Sequence, residues 1–190
     1  MKVSSFSTMI ILLTIFSIFF TQPIQCHSPM PDLIEDVCQK TPHYHLCLVT
    51  LKSNLYAHHL KSHEDISGFV RIILQVVAAR APVVLEQIQD IYKQTDHTQL
   101  KIALDNCITT YSKITKEIIP QALQCNEKSD NVGVKEKVTM AESLAESCEQ
   151  KCKGTTSSGV SPLGDSSEFV QNMCSIAASI ASMPQSKKST

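Results

Sequence analysis

Hydrophobic residues recur at helical spacing in four long segments of the chain, which cover residues 66–92, 100–118, 134–148 and 169–183. The last two segments follow a regular four–three spacing: Val134, Val138, Ala141, Ala145 and Cys148, then Phe169, Met173, Ile176, Ile180 and Met183. Such spacing gives each helix a narrow apolar stripe, which suits near-antiparallel packing at about 20°. The pattern predicts an all-α protein with an up-and-down four-helix bundle over residues 63–183.

Capping and breaking residues mark where these helices should begin and end. Asp96 stands three residues before Gln99, and Asp165 three residues before Glu168, so both pairs resemble capping signals at helix starts. Pro120 lacks a backbone N–H and should bend or end the second helix. Together these signals predict helices that are joined by short polar connections.

A shorter helical pair precedes the bundle, over residues 27–62. Its two arms are separated by Thr41-Pro42, because a proline disfavours helical backbone in the residue before it. The second arm carries four leucines: Leu46, Leu48, Leu51 and Leu55. This part of the chain is predicted to form an N-terminal α-helical hairpin.

The two ends of the chain are predicted to lie outside the folded domain. Residues 1–26 combine an early lysine, an apolar run from Met9 to Phe20 and a polar exit, which is typical of a secretory signal peptide. The run is shorter than the roughly 20 residues that a membrane span needs. Residues 184–190 are predicted to be a disordered tail. We therefore expect a secreted protein that has no membrane attachment after signal cleavage.

The composition favours a secreted helical domain without catalytic function. The chain has only five glycines, which disfavours an all-β sandwich and a glycine-rich phosphate loop. Eight cysteines behind a signal peptide should be mostly oxidised. The formal net charge of −1 provides no large basic field for binding nucleic acid. The sequence contains no Gly-x-Ser-x-Gly elbow and no Walker loop, so we expect neither an enzyme nor a bound cofactor.

Two pairs of residues at helical spacing could in principle contribute metal ligands. Cys148 and Cys152 are one helical turn apart, and so are His59 and His63. Thiols that leave the cell through an oxidising pathway usually pair, and the histidine pair lacks the His-Glu-x-x-His pattern. No complete ligand set stands at a standard spacing, so we expect no metal site.

Two stretches of the chain resemble the plant invertase/pectin methylesterase inhibitor family. Leu33–Leu55, which reads LIEDVCQKTPHYHLCLVTLKSNL, places a Thr-Pro-x-Tyr turn between two cysteines and looks like the family's N-terminal hairpin signature. Ala103–Ile119, which reads ALDNCITTYSKITKEII, resembles the family's second bundle helix, and Cys148 stands at the fourth signature cysteine. Val160–Leu163 also looks like a stretch found in a pollen-allergen-like subgroup. The resemblance extends over roughly Leu33–Met183.

The resemblance implies one disulfide in the hairpin and one in the bundle: Cys38–Cys47 and Cys107–Cys148. It leaves open the pairing state of the other four cysteines: Cys26, Cys125, Cys152 and Cys174. Cys125 and Cys152 are not expected to pair with each other, because an antiparallel hairpin places them toward opposite ends. Cys174 is expected to be a buried core thiol, and a mixed or intermolecular disulfide is the alternative.

The resemblance also implies a function: noncovalent inhibition of a cell-wall carbohydrate enzyme by a complex that covers its active-site cleft. Pectin methylesterase is slightly favoured over acidic invertase, because Asp130–Gly133 lacks the Pro-Lys-Phe triplet of invertase-directed members. The Ser-Ala-Ala-Leu-Thr run of many pectin methylesterase inhibitors is also absent, at Thr139–Ser143. A non-inhibitory secreted carrier or storage/allergen protein is the alternative from another class. The expected location is the apoplast, with the vacuole as an alternative.

Contacts with the target enzyme are expected on the outward faces of the second and third bundle helices. The candidate contact residues are Thr110, Lys113, Lys137 and Glu142. Stable complexes of this kind bury about 1,600 Å² and gain affinity from a preorganised binding surface. A rigid bundle is therefore a suitable scaffold for an inhibitor.

Overall fold

The computed structural model describes residues 30–58, 66–156 and 159–184 of the chain. Within these residues the chain forms seven α-helices: α1 Met30–Gln39, α2 Tyr44–His58, α3 Ile66–Gln94, α4 Thr98–Lys113, α5 Ile119–Glu127, α6 Asn131–Lys153 and α7 Gly164–Ala181. A π turn, Ile114–Ile118, joins α4 directly to α5. The predicted signal peptide and all but the first residue of the predicted tail lie outside the described residues.

Helices α3 to α7 form a four-helix bundle, in which α4, the π turn and α5 make one long rod. Helix α3 packs against this rod and against α7, and α6 packs against the same two neighbours from the other side. Residues 95–97 and 128–130 are short connections, whereas residues 154–156 and 159–163 belong to a longer connection from α6 to α7, which we call the strap. The prediction of an all-α, up-and-down bundle is confirmed.

The bundle core lies along the apolar stripes that the spacing predicts. The predicted stripe of α6 is buried along its whole length: Val134, Val138, Ala141, Ala145 and Cys148. On α7, Met173, Ile176 and Ile180 are buried and Phe169 is partly buried, whereas Met183 is partly buried beyond the end of the helix. The stripe of α7 is thus wider than predicted, since Val170 and Ala177 are also buried.

Helix α3 is the longest helix of the bundle and supplies much of its core. By length and composition it could cross a membrane, yet half of its most apolar window is buried inside the protein. The helix runs through Pro82, whose side chain is exposed on the solvent side. Helix α3 is therefore a core helix of the bundle.

Both capping predictions were wrong. Helix α4 begins one residue later than expected, and the His97 Nδ1 atom accepts the Leu100 backbone N–H at 3.2 Å. Asp96 precedes this N-cap, so its carboxylate does not take the capping position. Helix α7 has Leu163 at its N-cap without a capping side chain, and Asp165 lies inside the first turn. An acidic side chain there interacts favourably with the positive end of the helix dipole but does not form the predicted capping box.

Pro120 neither ends nor interrupts the helical rod. It lies in the first turn of α5, where a missing N–H is tolerated. The π turn directly before it lets the Ile119 N–H reach the Ile114 carbonyl, five residues back. The chain is therefore helical from Thr98 to Glu127. Of the two predicted effects of Pro120, ending the helix was wrong, and bending it stays a prediction.

The N-terminal hairpin consists of α1 and α2, with the break at Thr41-Pro42 as predicted. The Thr41 hydroxyl donates to the Cys38 carbonyl at 2.8 Å and closes the end of α1. The Tyr44 hydroxyl donates to the Glu35 carboxylate at 2.9 Å, across the turn. Leu51 is buried, and α2 contacts α3 and α7. The hairpin is thus docked on one side of the bundle.

Candidate inhibitory surface

Two disulfides fix the framework that carries the candidate surface. Cys38 and Cys47 are bonded across the hairpin turn, and their Cα atoms are 5.5 Å apart. Cys107 of α4 and Cys148 of α6 are bonded inside the bundle, with a Cα separation of 5.3 Å. The second bond holds together the two helices on which target contacts are predicted, so their outward faces are fixed relative to each other.

Three further cysteines in the described part of the chain are not in disulfides: Cys125, Cys152 and Cys174. Cys174 is a buried core thiol, as the sequence predicts, and burial with a smaller contribution from Glu142 raises its pKa to about 12. Burial with a smaller contribution from Glu149 raises the pKa of Cys152 to about 11. Both thiols are therefore mostly protonated in the folded protein at neutral or acidic pH, which keeps the reactive thiolate form scarce.

The outward face of α4 carries two of the predicted contact residues. Lys113 is exposed and lines a shallow depression of about 530 Å³ that continues into the π turn. The depression combines one apolar side chain with hydroxyl and charged groups: Ile108, Thr109, Ser112, Lys113, Lys116 and Glu117. Thr110 is half-buried, so it presents only part of its side chain on this face. The face provides a mixed polar and basic surface without deep concavity.

Lys137 and Glu142 lie on opposite sides of the buried stripe of α6. Five residues of an α-helix correspond to a rotation of about 140° around its axis. Lys137 lies on the flank of α6 that faces the α4–α5 rod, the flank from which Cys148 bonds to α4. Glu142 is half-buried on the α7 side, where it interacts with Ser175. The structure therefore places Thr110, Lys113 and Lys137 around one interhelical face and Glu142 around another.

Glu142 has an environment that distinguishes it from an ordinary surface carboxylate. Burial is the main cause of its raised pKa, and the nearby Glu146 raises it further. The hydrogen bond with Ser175 and the proximity of His43 act in the opposite direction. Since His43 belongs to the hairpin turn, this carboxylate lies where the hairpin and the bundle meet.

The connection between α5 and α6 is a tight turn, and it lies where invertase-directed relatives can carry their triplet. The Asp130 carboxylate caps α6 by accepting the Gly133 N–H at 2.9 Å. A Cβ atom at position 133 would collide with this carboxylate and lie 2.8 Å from the Cys125 sulfur, so any larger residue there would require both side chains to move. Val132 is 79% exposed at the start of α6 and gives this corner an apolar contact point. The sequence reasoning missed this cap, although Asp before a helical stripe is a standard signal.

The strap is attached to the end of α6 through a buried carboxylate. The Ser161 hydroxyl donates to Glu149 at 2.9 Å and accepts the Leu163 N–H at 3.2 Å. Lys153 lies 3.6 Å from the other Glu149 oxygen. Sequence reasoning did not single out Glu149, because a glutamate between two buried cysteines gives no motif of its own.

A model of the family described as plant invertase/pectin methylesterase inhibitor matches residues 32–180. The chain belongs to this family. The N-terminal hairpin and the bundle are both included in the match, in agreement with the resemblance seen in the sequence. The family is named for inhibitors of invertase and of pectin methylesterase.

Individual relatives include inhibitors of both enzyme types. Cell wall / vacuolar inhibitor of fructosidase 1 from Arabidopsis thaliana is 31% identical over 96 residues, which are 50% of this chain and 44% of that relative. The match thus spans less than half of the relative's length. A crystal structure of a mutant pectin methylesterase inhibitor from Arabidopsis has a TM-score of 0.64 at 22% identity, covering 80% of this chain and 98% of the other. A second pectin methylesterase inhibitor from Arabidopsis thaliana has a TM-score of 0.57 at 23% identity, covering 80% and 95%. At these identities the solved structures support the fold alone.

Proposed function

We propose that the chain is a secreted inhibitor of a fructosidase of the acid invertase type, acting in the cell wall or vacuole. The observation that carries the choice of target is the 31% identity to the fructosidase inhibitor, since the likeness to pectin methylesterase inhibitors is one of fold. The two disulfides agree with export through an oxidising compartment.

The proposed mechanism is noncovalent occlusion of the enzyme's active-site cleft. The α4 and α6 helices are fixed by the Cys107–Cys148 bond and by a common core, so little conformational entropy is lost when their outer face binds. Affinity would come from a buried centre of the interface, with rim charges mainly setting the association rate.

We place the contact surface on the α4–α6 side, around Thr110, Lys113 and Lys137. These residues belong to helices that are covalently joined, and Lys113 borders the depression at the π turn. Glu142 would reach a target only through an interface that extends to the α6–α7 side. A contribution of Glu142 to binding would therefore indicate an interface that extends to the α6–α7 side, and the lack of one an interface confined to the α4–α6 side.

Pectin methylesterase is the second candidate target. The absence of the Pro-Lys-Phe triplet at Asp130–Gly133 favours it, because that triplet is a feature of invertase-directed members of the family. An invertase would therefore have to be bound by other residues of this chain.

The proposal is tested by titrating the purified chain, produced by secretion, against an acid invertase and a pectin methylesterase in parallel. Sucrose hydrolysis and methanol release are the two readouts, each measured between pH 4.5 and 6. We expect near-stoichiometric loss of invertase activity that is recovered on dilution. Inhibition of pectin methylesterase alone would establish the second candidate. Inhibition of neither enzyme, together with saturable lipid uptake, would support a carrier and overturn the proposal.

The contact surface is tested with a matched pair of charge reversals. Lys113→Glu should weaken inhibition about tenfold, since it reverses a charge on the proposed interface. Lys93→Glu makes the same change at an exposed position at the end of α3 and should leave inhibition unaltered. Equal inhibition constants for both variants would place the interface elsewhere.

A further inference from the structure

Three sulfur atoms meet in the buried interface between α4 and α6. The sulfurs of Cys107, Cys148 and Cys152 all lie within 4.8 Å of one another, and all three residues are buried. Two of them form the bundle disulfide, and the free Cys152 sulfur lies 3.8 Å from that of Cys107. Cys107 therefore has two cysteines within reach, of which it bonds only one.

The arrangement follows from helical spacing on α6. Cys148 and Cys152 are four residues apart, so they lie on the same face of the helix one turn apart. Cys107 reaches this face from α4, where it is bonded to Cys148 and has its sulfur 3.8 Å from that of Cys152. Because Cys152 belongs to the last turn of α6, it stands where helices fray most readily.

We propose that Cys152 is a second disulfide partner of Cys107, so that the staple between α4 and α6 can form with either cysteine of α6. In the exchange, the Cys152 thiolate attacks the Cys107 sulfur and the Cys107–Cys148 bond breaks. The electron pair leaves on the Cys148 sulfur, which takes up the proton that Cys152 has lost. No external oxidant or reductant is consumed, because one disulfide replaces another.

The folded state restricts this exchange. Thiol–disulfide exchange requires the three sulfurs to lie in line. With a disulfide bond of about 2 Å and 3.8 Å between the Cys107 and Cys152 sulfurs, that arrangement would place the sulfurs of Cys148 and Cys152 about 6 Å apart. The outer sulfurs are within 4.8 Å, so Cys152 lies beside the bond and not on its axis. The raised pKa of Cys152 also keeps the thiolate scarce. The choice of partner is therefore made while the chain folds, or when the end of α6 opens.

The end of α6 is held closed by the strap. Ser161 of the strap donates a hydrogen bond to Glu149, which lies between the two competing cysteines, and Lys153 of α6 itself contacts the same carboxylate. When this attachment is released, the last turn of α6 can unwind and bring Cys152 in line with Cys107. The alternative bond would close a loop with a sequence separation of 45 instead of 41, which is almost the same entropic constraint.

The test uses three single variants of the chain, produced by secretion: Cys148→Ser, Cys107→Ser and Cys152→Ser. Each is alkylated at acidic pH to block exchange and is then digested with trypsin without reduction. Trypsin separates the three cysteines, because Cys107 falls in residues 102–113, Cys148 in 138–151 and Cys152 in 152–153. The two possible disulfides therefore give different linked peptides.

We expect Cys148→Ser to contain the 102–113 peptide linked to 152–153. It should melt about 10 °C above Cys107→Ser, which can form neither bond. Alkylated thiols at both Cys107 and Cys152 in the Cys148→Ser variant, with equal melting temperatures for the two variants, would overturn the proposal.

Wild-type protein provides a measurement that does not depend on the folding of a variant. The chain is incubated at pH 8.5 in a glutathione redox buffer with a low concentration of urea, and the linked peptides are then quantified. The 102–113 peptide linked to 152–153 should appear in wild type and be absent from Cys152→Ser. Its absence from wild type under these conditions would likewise exclude Cys152 as a partner.

Discussion

The N-terminal hairpin and the bundle are ordered by different means. Helices α1 and α2 have 10 and 15 residues, close to the length of about 12–15 below which isolated helices are marginal. Their buried apolar side chains in the described region are few: Ile34, Val37 and Leu51, beside the two cysteines. Helices α3 and α6 have 29 and 23 residues and bury continuous stripes. The hairpin therefore depends on its disulfide and on docking, whereas the bundle depends on its own core.

The two disulfides contribute differently to the stability of their regions, because the regions differ in the size of their cores. The chain-entropy contribution is about 2–3 kcal/mol for the separation of 9 between Cys38 and Cys47, and about 4 kcal/mol for the separation of 41 between Cys107 and Cys148. The smaller contribution supports a region with little core, while the larger one adds to a region that is already well packed. The importance of a disulfide thus depends more on the core beside it than on the length of its loop.

The largest expected effect comes from a charge in the bundle core. Ala145 is fully buried on the stripe of α6, so Ala145→Glu would place a carboxylate where no partner is available. We expect a loss of about 4 kcal/mol or more in the free energy of unfolding, a large part of the roughly 5–15 kcal/mol of a whole domain. Thermal unfolding followed by circular dichroism measures the effect.

Ser147→Glu is the matched control, because it adds the same charge at an exposed position on the same helix. Its unfolding free energy should stay within about 0.5 kcal/mol of wild type. Similar melting temperatures for Ala145→Glu and wild type would mean that the stripe of α6 does not face the core.

The second effect is local and concerns the hairpin. The double variant Cys38→Ser/Cys47→Ser should lose about 2–3 kcal/mol of hairpin stability. Because the bundle has its own core, its melting transition should change far less than that of the hairpin. Hydrogen exchange read out by mass spectrometry should show faster exchange in α1 and α2 and unchanged exchange in α6. Uniformly faster exchange in all helices would show that hairpin and bundle unfold together.

The sequence predicts the bundle well because its signal is repeated many times. The stripe of α6 contains five positions at four–three spacing, so the predicted buried face stays the same even if one position is assigned wrongly. The break at Thr41-Pro42 is similarly well determined, since proline restricts the residue before it. Features that repeat, or that follow from a fixed dihedral angle, can be predicted from a single chain.

Features that depend on one residue of register could not be predicted in this way. Asp96 and His97 are adjacent, and only the path of the chain from α3 decides which of them becomes the cap. The π turn leaves the apolar stripe intact at Ile114 and Ile118, so the spacing gives no sign of it. The position of Glu142 on the flank of α6 nearer α7 likewise depends on which neighbour packs beside it.

The third effect is a stabilisation of the bundle by a better N-cap on α4. His97 caps α4 with an imidazole nitrogen, a poorer cap than a carboxylate in the usual ranking. His97→Asp supplies a carboxylate that can accept the same Leu100 N–H and that also favours the positive end of the helix dipole. We expect a gain of about 0.5–1 kcal/mol in the unfolding free energy of the bundle at neutral pH, measured by urea unfolding. His97→Ala should lose stability, and an equal effect of both substitutions would show that the cap is not used.

The smallest effect concerns Glu142, at the place where hairpin and bundle meet. Burial raises its pKa above the value in the unfolded chain, so the folded state disfavours the charged form. The stability associated with the neutral form is fully present below the unfolded pKa and is lost as the pH rises through the folded pKa. Glu142→Gln should therefore be more stable than wild type at pH 7, by less than about 1 kcal/mol because the side chain is only half-buried.

The sign of this pH dependence separates burial from charge pairing as the main influence on Glu142. If burial dominates, the advantage of Glu142→Gln should shrink as the pH falls and vanish near pH 4, where wild type is also neutral. If attractive interactions of the carboxylate outweighed burial, the glutamine variant would instead be less stable than wild type at pH 7. Glu168→Gln, at an exposed position on α7, serves as the control and should match wild type throughout. Unfolding free energies from urea titrations at pH 4, 5, 6 and 7 therefore tell whether hairpin and bundle are joined at this point by charge attraction or mainly by packing.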